Sequence, residues 1–446
     1  MKKHFLLFFF LSFLLTFSAV AAGPKITEKE LSNGLKVLMV EEHKAPVATF
    51  QVWYRVGAID ENPGRTGLSH LLEHMMFKGT KKYGVKTFSR IVSKNGGNDN
   101  AFTSEDYTAY FENLASDRIS IALDLESDRM KDILALPKEF QAERDVVIEE
   151  RRMRTEDEPI SDLVEEMMAV AFKAHPYGWP IIGWMSDLKR VTRDEMYRHY
   201  KAYYVPNNAV IVVAGDINPK DLFPKIEKYF GPIKSGPKPL RNPVVEPPQR
   251  GPRRVTLYRD AELPFVAIGY HVPNLTSPDS VPLAVLSSIL SDGRSSRLHR
   301  SLVYEKQLAF FAEGSYDRVT RDPQLFYVYA NAMPQIDIKV VEQAMLEEIE
   351  KIRKTPVSER DLQKAKNRAE SSFVLRQDSI FYQAMILGQH EIAGGWRYYE
   401  KFLGELRKVT QEDVQRVARK YLTEENCTTA VLIPQKARAT ESDSKR

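Results

Sequence analysis

Between Gly231 and Arg254 the chain reads GPIKSGPKPLRNPVVEPPQRGPRR. Proline lacks the amide donor that a central strand needs and clashes inside a helix. Its repetition here, among glycine and basic residues, predicts a linker. A linker at this place divides the chain into two segments of similar size. At 446 residues the chain is too long for one ordinary core and suits two or more domains. The two segments end alike. The first has Val191-Thr192, an amphipathic helix to Tyr203 and an apolar strand over 209–214. The second has Val409-Thr410, a helix to Tyr421 and a strand over 428–433. The offset is 218 residues at Val191/Val409 and again at Tyr203/Tyr421. Thr192 and Thr410 both read as N-caps, each with an acid close behind. Any two helix-then-strand units share some of these features; together with the linker they favour a duplicated α/β domain.

Within each segment, strands and helices mix without strict βαβ alternation. Residues 50–56, 255–258 and 265–271 read as strands by their β-branched and aromatic content; 67–77, 138–154 and 280–291 read as helices. The expected class is α+β, with helices packed on antiparallel sheet. The expected organisation is a leader at 1–22, an N-terminal domain at 23–230, the linker at 231–254, a related C-terminal domain at 255–434 and a polar, disordered tail at 435–446.

The leader reading rests on three features. Lys2 and Lys3 form a basic start, 5–17 is a run of Leu and Phe broken only by Ser12 and Thr16, and Ser18-Ala19-Val20-Ala21-Ala22 offers small residues for cleavage. The 13-residue run is short of the ~20 needed to span a bilayer, so a cleaved secretory signal is expected rather than a stable membrane anchor, with a periplasmic destination. The formal net charge is +4, of which Lys2 and Lys3 supply two, and gives no reason to expect nucleic acid as a partner. A single cysteine, Cys427, excludes an intramolecular disulfide. It lies in a strand-like run and reads as a small buried residue.

The chemistry is carried by His70-Leu71-Leu72-Glu73-His74. Residues four apart share a helix face, so His70 and His74 can reach one ion, and imidazole suits zinc. Glu73 projects beside that ion, where a carboxylate can take a proton from an activated water. The arrangement inverts the commoner His-Glu-x-x-His; the same spacing also suits two core or solvated histidines. A catalytic zinc needs a third protein ligand and an open position. Glu143 and Glu150, two turns apart on the helix expected over 138–154, share a face, with Val146 and Val147 expected to pack inward beside them.

At this point a resemblance enters. Gly57-Ala58-Ile59-Asp60-Glu61 followed by Gly67 through Thr80 (GLSHLLEHMMFKGT) resembles the pitrilysin/insulinase family of zinc peptidases, which includes the mitochondrial processing peptidase β-subunit and bacterial exported peptidases. The resemblance covers most of the chain after the leader and is strongest from Val56 to Glu150. It implies one Zn²⁺ per chain, held by His70, His74 and Glu150, because Glu150 rather than Glu149 stands at the family's interval past the second histidine. It implies Glu73 as catalytic base, Glu143 as a supporting acid, and a fold of two related α/β domains forming a clamshell half. Gly96-Gly97-Asn98-Asp99-Asn100-Ala101-Phe102-Thr103 matches a sheet edge where substrate backbone adds as a strand, with Asn100, Ala101 and Phe102 in contact; the same stretch could be an ordinary hairpin. His175-Pro176-Tyr177-Gly178 also fits, with His175 structural or lining the chamber. The implied activity is zinc-dependent hydrolysis of peptides or unfolded polypeptides; the alternative is a peptide-binding or scaffold subunit of the same fold.

One departure stands out. Single-chain members carry an Arg and a Tyr seven residues apart that stabilise the substrate carbonyl. The matching positions here are Val303 and Phe310, neither of which can donate a hydrogen bond. The sequence does not say whether Tyr304 or Tyr316 substitutes. The expectation is a dimer with a related subunit, a heterodimer before a homodimer, in which the partner supplies the Arg and Tyr.

Overall fold

Two sheets carry the fold, in a computed structural model that describes residues 25–239, 241 and 243–435. The expected leader lies outside the described residues, as does the tail after Gln435. The first sheet comprises β1 (Ile26–Glu30), β2 (Lys36–Glu41), β3 (Val47–Tyr54), β4 (Asn98–Thr103), β5 (Thr108–Ala115) and β6 (Ala209–Gly215), in the order β1-β2-β6-β3-β5-β4. The second comprises β7 (Arg253–Arg259), β8 (Phe265–Val272), β9 (Ala309–Tyr316), β10 (Gln324–Ala332) and β11 (Cys427–Pro434), in the order β7-β11-β8-β10-β9. Apart from β1 the two orders correspond strand for strand, as a duplication requires.

The sheets are not purely antiparallel, as the sequence reading had it. β2 pairs with β6 in parallel, and β7 with β11, while the other pairs are antiparallel. In each half the last strand returns from a long helical excursion and inserts beside an early one, which is the connection a parallel pair demands. Element ends also move. The helix expected over 67–77 spans Leu68–Met75; that over 138–154 spans Pro137–Arg151 and continues into a wider π-type turn, Arg152–Glu156. β7 starts at Arg253, inside the stretch read as linker, because no proline follows Pro252 to prevent pairing.

Both faces of each sheet are covered, which explains why β6 reads as the unbroken apolar run AVIVVAG and is buried throughout. In the first sheet Val37, Met39, Phe50, Val52, Ile211 and Val213 face the helices of their own half. Leu38, Val40, Trp53, Val210 and Val212 face the helix Ile380–Ala393, which belongs to the other half. The exchange is reciprocal. Helix Pro159–Ala171 of the N-terminal half sets Leu163, Met167 and Ala171 against Phe265, Ala267, Ala430 and Leu432 of the second sheet. Gly388 allows the close approach on the first sheet, since a Cβ there would lie 2.1 Å from the Trp53 ring.

Polar bonds reinforce this exchange. Arg321, between β9 and β10, sends its guanidinium to Asp60 Oδ2 (2.8 Å) and its N–H to Asp106 Oδ2 (2.9 Å). Tyr177 donates to Asp106 Oδ1 (2.8 Å). The linker is pinned as well: the Glu246 carboxylate accepts from the N–H groups of Lys173, Ala174 and His175 (2.8, 2.8 and 2.9 Å).

Candidate metal centre

The helix Leu68–Met75 begins at Gly67, which turns the chain at φ 85° where a Cβ would meet Ile182 O at 2.5 Å. Its free N–H groups are met by the Glu61 carboxylate, which accepts from Gly67 (2.7 Å) and Ser69 (2.6 Å). Burial nevertheless pushes the Glu61 carboxyl up to about 8. Leu68, Leu71, Leu72 and Met75 are buried in the core, which leaves His70, Glu73 and His74 half-buried on the remaining face. Helix Pro137–Arg151 packs against this one.

There the side chains converge. Glu150 Oε2 stands 3.7 Å from His70 Nε2 and 3.4 Å from His74 Nε2, and the three donor atoms lie within 4.8 Å of one another. Donors about 2.0–2.2 Å from a tetrahedral zinc ion are roughly 3.4 Å apart, so these residues fit such an ion. Glu149 is exposed and paired with Arg152, pointing away. Glu143 Oε2 sits 3.2 Å from His74 Nδ1 and its other oxygen is 2.5 Å from Lys78 Nζ. With Nδ1–H donated to Glu143, His74 keeps the Nε2 lone pair for an ion. Burial, then the neighbouring His74 and Arg154, hold His70 down at about 3, so it is neutral and able to ligate near pH 7. Its buried Nδ1 has no hydrogen-bond partner among the described residues.

Glu73 lies on the same helix face. Burial raises its carboxyl, and Thr103 Oγ1 donates to Oε2 at 2.6 Å. Thr103 ends β4, an edge strand of the first sheet, which among the described residues pairs only with β5. Asn100 is exposed there, Ala101 and Phe102 are half-buried, and the Ala101 N–H is held by Asn100 Oδ1 (2.9 Å). An extended peptide can add to that edge.

Other expectations meet mixed results. Val147 is fully buried beside Glu143, but Val146 is 48% exposed, because one step of about 100° turns it off the packed face. His175 is buried, with Nδ1 accepting from Tyr177 N (3.2 Å) and Nε2 3.4 Å from Asp322; it is not part of the cluster. Cys427 is buried in β11. Val303 packs against the core of the C-terminal half and Phe310 is exposed on β9. Tyr304 is exposed, and the Tyr316 hydroxyl is bonded to Pro273 O (2.5 Å). The sequence reading quoted Thr103 and Lys78 but gave them no part. Lys78 lies past the end of the helix and meets Glu143 of another helix, and Thr103 comes from a separate strand, so no local spacing signals either.

Comparison with known proteins agrees with this frame. Residues 36–183 match the family described as "Insulinase (Peptidase family M16)", and residues 190–369 the "Peptidase M16 inactive domain". The zinc protease PqqE of Helicobacter pylori is 34% identical over 419 residues, covering 92% of this chain and 93% of that protein. A probable mitochondrial-processing peptidase subunit beta of Arabidopsis thaliana is 26% identical over 425 residues, 93% of this chain and 80% of its own. The crystal structure of a protease from Helicobacter pylori superposes with a TM-score of 0.88 at 32% identity, covering 92% of this chain and all of that one.

Proposed function

Because the chain belongs to the insulinase (M16) family of peptidases, we propose that it is a zinc-dependent endopeptidase acting on peptides or unfolded polypeptides. The observation that carries this is the convergence of His70, His74 and Glu150 beside Glu73, within reach of an open sheet edge. His70, His74 and Glu150 would hold the zinc ion, one per chain. When bound there, zinc polarises the scissile carbonyl and brings the pKa of water to about 7. The edge of β4 at Asn100, Ala101 and Phe102 holds the peptide extended through backbone bonds, so conformation is selected more than sequence. Glu73 accepts the proton of the attacking water and passes it to the leaving amine. Glu143, backed by Lys78, fixes the His74 ring.

Val303 and Phe310 offer no donor to the developing oxyanion, a loss of ~3 kcal/mol per missing donor. A related partner subunit therefore supplies the Arg and Tyr, in a heterodimer before a homodimer. The leader reading supports export to the periplasm; among the described residues no helix is long and apolar enough to cross a membrane. The test is zinc content and cleavage of an unstructured quenched-fluorescent peptide by the chain lacking residues 1–22, unmodified and as Glu73→Gln. Cleavage that disappears in Glu73→Gln with zinc retained supports the peptidase reading. A chain that alone cuts as fast as with its partner refutes the shared site. Zinc bound without cleavage, alone or with the partner, favours the peptide-binding subunit, a reading for which the missing donors speak.

A further inference from the structure

We propose that Thr103 is the positioning residue that ties the Glu73 carboxylate to the peptide-binding edge, an inference that rests on the peptidase reading above. The Thr103 hydroxyl has one proton and two possible acceptors. Glu73 Oε2 is at 2.6 Å and Thr108 Oγ1 at 3.4 Å. The shorter bond, to a carboxylate, takes the proton. Thr108 is fully buried and its own hydroxyl donates to Val56 O at 3.0 Å, which holds the strand end behind Thr103 in place.

One carboxylate oxygen of Glu73 is thereby engaged and the other is left for proton transfer. A glutamate side chain has three rotatable bonds, and an untied one spreads over several rotamers. Thr103 is the last residue of β4, and β4 is the strand a bound peptide would extend. Side chains alternate along it: Ala101 packs on the core that includes Leu71, Leu72 and Met75, while Phe102 turns to Trp53 at 5.4 Å on the opposite face. Thr103 shares the Ala101 face and so meets the helix bearing Glu73. The strand that sets peptide register thus also sets the base, and substrate and base are aligned by one rigid element instead of two.

Thr103→Val keeps the shape and strand preference and removes only the hydroxyl; Thr103→Ser keeps the hydroxyl. The expected result for Thr103→Val is unchanged zinc content, unchanged KM and a kcat lower by roughly ten- to a hundredfold, the scale of a hydrogen bond to a charged group. Thr103→Ser should return kcat close to the unmodified value. In a Glu73→Gln background, which binds without cutting, fluorescence anisotropy should show the same peptide affinity with and without Thr103→Val. Unmodified kcat in Thr103→Val overturns the inference, as does a Thr103→Ser as slow as Thr103→Val, or weakened peptide binding with kcat preserved. If the zinc-loaded unmodified chain cuts nothing, alone or with a related subunit, the peptidase reading itself fails and this inference falls with it.

Discussion

The helices Leu68–Met75 and Ser280–Ser291 occupy matching places. Each follows a central strand, β3 or β8, and precedes an edge strand, β4 or β9. Their sequences, LSHLLEHM and SVPLAVLSSILS, share only the apolar side. Val285, Leu286, Ile289 and Leu290 are buried in one as Leu68, Leu71, Leu72 and Met75 are in the other. The frame therefore needs the apolar stripe and nothing else. His70, Glu73 and His74 are placed on the free face of a helix that would fold without them. They carry a cost of their own, since a buried unpartnered nitrogen such as His70 Nδ1 costs about 1–3 kcal/mol.

The acids at the starts of the two helices differ in a second way. Glu61 caps the first from a buried position with a raised carboxyl. Asp279 precedes the second; burial works against its charge, but bonds from Lys420, Tyr421 and Arg416 pull it down to about 2.

The largest effect should come from making the first helix resemble the second. His70→Leu is expected to remove zinc binding and, with it, peptide hydrolysis altogether, while the metal-free variant unfolds at a temperature no lower than the metal-free unmodified chain. Metal analysis and thermal unfolding check this. A clear loss of metal-free stability would show that the histidine serves the frame and would break the comparison.

Next is the joint that holds the two halves in register. Arg321→Ala leaves Asp60 buried without its guanidinium and should cost about 3 kcal/mol, measured by denaturant titration. Glu143→Gln should weaken zinc affinity by roughly ten- to a hundredfold by loosening the His74 ring, measured by competition with a chelator. An unchanged affinity would reduce Glu143 to an ordinary ion pair with Lys78.

The smallest effects concern these two acids and have opposite signs. Glu61 has a folded value above its unfolded one. Its contribution is present below about 4.5 and is lost as pH rises to about 8. Asp279 has a folded value below its unfolded one, so its contribution is present above about 3.8 and is lost as pH falls to about 2. Thermal midpoints against pH should show Glu61→Gln flattening only the fall between about pH 4.5 and 8, and Asp279→Asn lowering stability near neutrality but not near pH 2. The same slope change in both variants would contradict the contrast.

Much of this arrangement was legible beforehand, and the reasons are local. A spacing of four residues fixes His70 and His74 on one helix face wherever the helix packs. The 218-residue offset and the Val-Thr caps point to duplication, and both Thr192 and Thr410 form capping boxes. The assignment of Glu150 over Glu149 came from family resemblance, since helix periodicity alone left Glu143 and Glu150 equivalent. The parallel strand pairs went unread because an apolar strand buried on both faces carries no mark of its neighbour's direction. Val146 was misplaced because the packed side of its helix is narrow, and one step of about 100° from the buried Val147 already carries it into solvent.

The sequence by itself determined that His70, Glu73 and His74 sit at helical spacing and that two segments end alike. These follow from periodicity and composition within short stretches, whereas the Arg and Tyr missed at Val303 and Phe310 are expected only from the family resemblance. Only the tertiary structure decided that each half lends a helix to the other's sheet, that Lys78 backs Glu143, and that Thr103 reaches Glu73 from the edge strand β4. Those contacts join residues that the chain brings together only by packing, and no local rule of helix or strand relates one packed surface to another.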